Sequence, residues 1–127
     1  MPVPLLRLRD TLIVSIQEDL SDATLNQLRN DIAERIGKLR LKGLVIDVSA
    51  LEVLDSFASR MLVSVVKVSA LRGAHAVIVG IQPQVAFAMV QLGLTLEGID
   101  TALDLDEGMT LLEEKRKHLG PKAGPEA

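Results

Sequence analysis

Asp55 and Ser56, within "LEVLDSFASRML" at 51–62, set a carboxylate beside a hydroxyl where an apolar run gives way to a helix. Either side chain can accept a hydrogen bond from a free N–H of the first helical turn, an N-cap worth typically about 1 kcal/mol. A helix needs only one such cap. The pair therefore leaves a hydroxyl spare at the positive helix end, where a phosphate is also well received, and Ser56 is chemically suited to phosphorylation. Asp47, in "VIDVS", is a second acid at the end of an apolar strand, the place where α/β proteins often hold a ligand, a metal or a phosphoryl group. It reads either as a partner for N–H groups of the following loop or as a phosphoryl acceptor. The acceptor role would need further acids after an early strand and a lysine after a late one. Here the second strand ends "SIQED" and no lysine follows "VIVGIQP".

Other catalytic readings have little to stand on. Neither His75 nor His118 carries a sequence signature of a general base: His75 opens a strand after a short turn and His118 lies near the tail. There is no nucleophile elbow, no phosphate-binding loop ending in Gly-Lys-Ser/Thr and no Gly-x-Gly-x-x-Gly. Cysteine is absent, which removes disulfides, thiolate metal sites and thiol nucleophiles, so a metal site would have to be built from carboxylates. We expect no enzyme, no metal and no cofactor.

The chain has 127 residues, 48% hydrophobic and 24% charged, with a formal net charge of -3. That is the length of one domain with one core, and the charge argues against a nucleic-acid partner. Phe57 and Phe87 are its aromatic residues, too few for base-stacking platforms, so methyl groups must fill the core. No segment approaches the roughly 20 apolar residues of a membrane span, and "MPVPLLRLRD" does not read as a leader. A cytoplasmic protein without membrane or nucleic-acid partners is expected.

The elements that must position Asp55 and Ser56 follow from periodicity. "LLRLRDTLIVSIQ" alternates on both sides of Arg9-Asp10 and predicts a two-stranded hairpin. Leu25, Leu28, Ile32, Ile36 and Leu39 form one helical stripe, capped by Ser21 or Asp22. "LVIDVS" after Gly43 and "HAVIVG" from His75 are apolar on both faces, as central parallel strands are. Between them a helix starts at Asp55 or Ser56 and runs to about Leu71, with Phe57 or Ala58, Met61, Leu62, Val65, Val68 and Leu71 inward. Pro83 opens the next helix and Gly93 closes it. A short strand falls between 98 and 103, and Asp104 with Glu107 forms a capping pair for a last helix bearing Lys115, Arg116 and Lys117. The order is ββαβαβαβα: an α/β single domain over 1–118, a small mixed sheet with helices mainly on one face, and a flexible tail over 119–127.

On this frame, "VSIQEDLSD", "GLVIDVSALEVLDSFASRML", "IVGIQPQVAFAMVQLGL" and "TALDLDEGMTLLE" together resemble the STAS domain of anti-sigma factor antagonists, in the RsbS-type branch found in the bacterial stressosome. The likeness runs from about Pro4 to His118, and "DSF" with "GIQP" is its most specific part. It implies a non-enzymatic scaffold that packs with an RsbR-like STAS paralogue into a large shell and holds a serine kinase of the switch-kinase, RsbT-like class. The family's phosphoacceptor maps onto Ser56. Its phosphorylation under stress would release the kinase; a phosphatase is a possible further partner, and the sequence does not tell whether one resets Ser56. Ser59, one turn on, is a competing acceptor, and Phe57 is either core or contact surface, its helical spacing from Met61 favouring the core. The kinase-facing patch is expected to comprise Asp55, Ser56, Ser59 and Arg60. The alternative is a small-molecule or nucleotide-binding module using the strand ends around Asp47, Ser49 and Gly80.

Overall fold

Leu12, Val14, Leu44, Ile46, Ala76 and Ile78 alternate along three neighbouring strands with Ile13, Val45, Val77 and Val79, and both sets are buried. Strands apolar on both faces need cover on both faces, and the chain supplies it. A computed structural model describes residues 3–17, 20–93 and 99–118. Its elements are β1 (Leu5–Leu8), β2 (Thr11–Ser15), α1 (Asp22–Leu39), β3 (Gly43–Asp47), α2 (Ser56–Leu71), β4 (His75–Val79), α3 (Pro83–Gln91), β5 (Asp100–Ala102) and α4 (Leu105–His118). The strands lie in the order β1-β2-β3-β4-β5, with β1 antiparallel to β2 and the rest parallel.

This order follows from simple connections. The β1–β2 hairpin turns at Arg9, whose φ is +57°. Each later strand is laid beside its predecessor by a helical crossover, and crossovers of one hand that always step in the same direction put their helices on the same face. Accordingly α1, α2 and α3 share a large core with the Leu12–Leu44–Ile78 face. The last helix, α4, has no strand after it and covers the other face, where Leu112, Met109 and Leu111 meet Ile13, Val45 and Val77. Gly108 makes that approach close, since a Cβ there would stand 2.7 Å from Val79 Cγ1. On this face the β1 edge is bare: Leu6 and Leu8 are exposed.

The expected element order and hairpin stand, and of the α1 stripe Leu25, Leu28, Ile32 and Ile36 are buried while Leu39, at the last turn, is exposed; of Ser21 and Asp22, Ser21 is the N-cap, its hydroxyl accepting from the Thr24 N–H at 3.1 Å. The inward face of α2 needs correction. Ser59, Met61, Leu62, Val65, Val66 and Ser69 are buried, whereas Val68 is half-buried and Leu71 is 87% exposed. Apolar residues occupy nearly every side of this helix, so its neighbours, not its own pattern, choose which side is buried. Phe57, expected in the core, is only half-buried. The tail over 119–127 lies outside the described residues.

Candidate functional site at the N-terminus of helix 2

Eight residues separate the last residue of β3 from the first of α2, and they are held tightly at both ends. Asp47 turns its carboxylate onto its own loop, Oδ1 accepting from the Ser49 N–H at 2.9 Å, so the loop-partner reading of this acid describes what it does. Leu51 and Leu54 are buried in the main core and pin the middle of the loop, while Glu52 and Val53 between them face out. A further brace comes from the next strand end. The Gln82 side chain donates to the Ser49 carbonyl at 2.6 Å. Gly80, with φ +80°, lies so near that a Cβ would come within 2.7 Å of Ser49 Cβ and 3.1 Å of its Cα.

The loop delivers Asp55 in extended backbone, φ -79° and ψ 175°, as the N-cap of α2. Its Oδ1 accepts from the Ala58 N–H at 2.8 Å, and its carbonyl accepts from the Ser59 N–H at 3.0 Å. Ser56 is then the first residue of the helix, half-buried, with its hydroxyl not used for capping. Arg60, one turn on and exposed, donates from Nη2 to Ser56 Oγ at 3.5 Å, the far edge of hydrogen-bond range. Beside Asp55 a hollow of about 100 Å³ opens, lined by Ile16, Leu20, Leu51, Val53 and Leu62 among others.

The structure thus brings together Asp55, Ser56 and Arg60 and takes Ser59 out of the expected surface patch. Ser59 is 0% exposed, and its Oγ finds no hydrogen-bond partner among the described residues. Three residues from Leu62, seven from Val66 and ten from Ser69, it belongs to the buried side of α2. That spacing was the available signal, hidden by the polar company of Ser56 and Arg60. The brace from Gln82 was missed altogether, since it joins residues 33 apart in the chain. His75 is far from the site, at the start of β4 and so at the other end of the sheet, where it contacts Asp100, itself 3.7 Å from Lys115 Nζ.

The alternative ligand site fares poorly on geometry. Open parallel sheets bind ligands at a crevice where the strand order reverses, and an order that only ever steps from β2 to β5 has no such reversal. Between Ser49 and Gly80, moreover, there is no room even for a Cβ on residue 80, which would stand 2.7 Å from Ser49 Cβ.

An acid capping a helix, a hydroxyl beside it that takes no part in the cap and a sheet that steps in one direction define a small α/β domain. The chain belongs to the STAS domain family, whose pattern matches residues 3–108. Among solved structures, a serine-to-glutamate variant of RsbS from Moorella thermoacetica is 37% identical, covering 91% of this chain and 97% of that one, with a TM-score of 0.81. A chain from the solved molecular architecture of the stressosome is 35% identical over 90% of this chain and 99% of its own, with a TM-score of 0.76. A curated relative, the RsbT co-antagonist protein RsbRC of Bacillus subtilis, is 30% identical over 81 residues, 64% of this chain but only 29% of the relative. The likeness to the RsbS-type stressosome branch of anti-sigma factor antagonists therefore extends beyond the fold to the sequence. No helix among the described residues is long and apolar enough to cross a membrane.

Proposed function

We propose that this chain is a non-enzymatic, cytoplasmic scaffold of a stressosome, packed with RsbR-like STAS paralogues, that holds an RsbT-like serine kinase and releases it when Ser56 is phosphorylated. The observation that carries the reading is the division of labour at the start of α2, where Asp55 does the capping and the half-buried Ser56 hydroxyl is left over. The names of the relatives support the setting: one is RsbS, one is part of a stressosome, and one is a co-antagonist of RsbT.

In the transfer, Ser56 Oγ attacks the γ-phosphorus of ATP held by the kinase. The new Oγ–P bond forms as the bond from that phosphorus to the β,γ-bridging oxygen breaks, ADP departs, and the hydroxyl proton passes to a base of the kinase. The product carries about -1.5 to -2 of added charge at neutral pH. At a helix N-terminus that charge does not oppose the helix, so the domain stays folded and the change is felt at its surface. The kinase-facing patch is Asp55, Ser56 and Arg60 with exposed Glu52 and Val53 of the loop. A phosphatase resets the serine.

Phosphopeptide mapping of the protein from its native cells, before and after an environmental stress, tests the reading. Stress-dependent phosphate on Ser56, together with a kinase that copurifies before stress and not after, is the expected result. Unmodified Ser56 under stress, or a kinase retained on the modified protein, would overturn it.

A further inference from the structure

We propose that Arg60 is the counterion of phosphorylated Ser56, so that modification not only adds negative charge to the surface but also withdraws the one cation of the patch into an internal pair. This rests on the phosphorylation of Ser56 proposed above and specifies how that site reports its state.

Three observations converge. First, the Arg60 guanidinium already reaches Ser56, with Nη2 3.5 Å from Oγ. A phosphoryl oxygen stands two bonds beyond Oγ, so the same rotamer brings it into the range where guanidinium and phosphate make charge-assisted, frequently bidentate hydrogen bonds. Second, the helix end meets the phosphate with only part of its N–H set. The Ala58 N–H is taken by the Asp55 carboxylate and the Ser59 N–H by the Asp55 carbonyl, which leaves those of Ser56 and Phe57, neutral donors that do not balance the added charge. Third, Asp55 puts a carboxylate on the residue before the phosphoserine, and two anions so close need a cation to share. From Glu52 to Met61 the only basic residue is Arg60. It is exposed and makes no ion pair among the described residues, so nothing there competes for it.

The consequence is a larger change in the surface than the phosphate alone would cause. Before modification the patch presents the Asp55 carboxylate and a guanidinium of opposite sign. Afterwards the guanidinium is tied to the phosphate, and a partner that had used Arg60 meets a net negative helix end instead. An intrahelical pair between residues one turn apart forms without moving the backbone, so the device fits a domain whose loop and cap are fixed.

The test uses the full chain with phosphoserine incorporated at position 56 during translation, and no kinase. The second ionisation of the phosphate is followed by ³¹P NMR titration in the parent protein and in the Arg60→Gln, Arg60→Lys and Lys67→Gln variants. A nearby cation favours the dianion, so the parent titrates at lower pH; losing Arg60 raises the midpoint by about half a pH unit or more, and Arg60→Lys recovers part of the shift. Lys67→Gln removes the same charge from an exposed position two turns further along α2 and should leave the midpoint where it is. A midpoint identical in parent and Arg60→Gln proteins, or an equal shift in Lys67→Gln, would overturn the pairing. Because no kinase is present, a positive result stands even if the kinase proves not to be released, and a null result leaves kinase release to be judged by phosphopeptide mapping.

Discussion

Asp55→Ala is the substitution that separates the two neighbouring roles at the site. In the structure Asp55 contributes one hydrogen bond to the Ala58 N–H at 2.8 Å and a carboxylate at the positive end of α2. Removing such a cap costs about 1 kcal/mol, within a span of roughly 0.5–2. Unfolding entropy near 60 °C is about 2.1 cal/mol/K per residue, which over 127 residues comes to about 0.27 kcal/mol/K. A loss of about 1 kcal/mol therefore lowers the melting temperature by roughly 4 °C. The assay is thermal or urea unfolding followed by circular dichroism, with Asp55→Asn and Ser56→Ala as companions. Asparagine caps about as well as aspartate and should lose less than half as much. Ser56→Ala removes a hydroxyl whose one hydrogen-bond approach among the described residues is that of Arg60 at 3.5 Å, and should stay within about 0.5 kcal/mol of the parent. If Asp55→Ala melted with the parent while Ser56→Ala fell by several degrees, Ser56 would be the working cap and no spare hydroxyl would exist.

Three further outcomes follow from the packing. Ser59→Ala deletes a buried oxygen without a partner among the described residues and should raise stability, on the order of 1 kcal/mol in urea unfolding; a fall of similar size would show the hydroxyl to be bonded. Gly80→Ala forces a left-handed conformation on a residue with a side chain and drives its Cβ to 2.7 Å from Ser49 Cβ, so it should cost more than about 1 kcal/mol and loosen the site loop, read as faster amide exchange at Ser49 and Leu51. Ile78→Ala in the centre of the sheet opens a cavity at a fully buried position and should cost about 2–5 kcal/mol, whereas exposed Leu71→Gln should cost almost nothing.

How much of this was legible in the sequence depends on how far each feature is local. The N-caps Ser21 and Asp55, the turn at Arg9 and the proline that opens α3 were visible because each is decided by residues within one turn. The strands β3 and β4 were visible because both of their faces are apolar. The phase of α2 was not. In "SFASRMLVSVVKVSAL" apolar residues occur on almost every side, so hydrophobicity favoured Val68 and Leu71 while packing against α1 and the sheet buried Ser59 and Ser69 instead. A small hydroxyl residue at such a place looks polar in sequence and behaves as a spacer in the fold. The site loop shows the same limit: Asp55 and Ser56 stood out, but the Gln82–Ser49 brace and the close approach of Gly80 depend on β3 and β4 lying side by side.

These nonlocal supports bear directly on how the proposed switch works. A site built on a slack loop could answer phosphorylation by rearranging. Here the loop is pinned by Leu51 and Leu54 in the core, by Asp47 on Ser49 and by Gln82 from the neighbouring strand end, and the helix it feeds is already capped. Added negative charge at that helix end meets a favourable dipole, so there is neither slack nor strain to drive a conformational change. The response must therefore be read in the interface with a partner, and it need not be large. Giving up about 3 kcal/mol of interaction weakens binding by more than a hundredfold. Breaking a single charge-assisted hydrogen bond across the interface, or bringing one carboxylate of the partner against the phosphate, is of that order. A rigid helix end that exchanges a free guanidinium for a net anion can thus release a partner while the protein beneath it stays as it was.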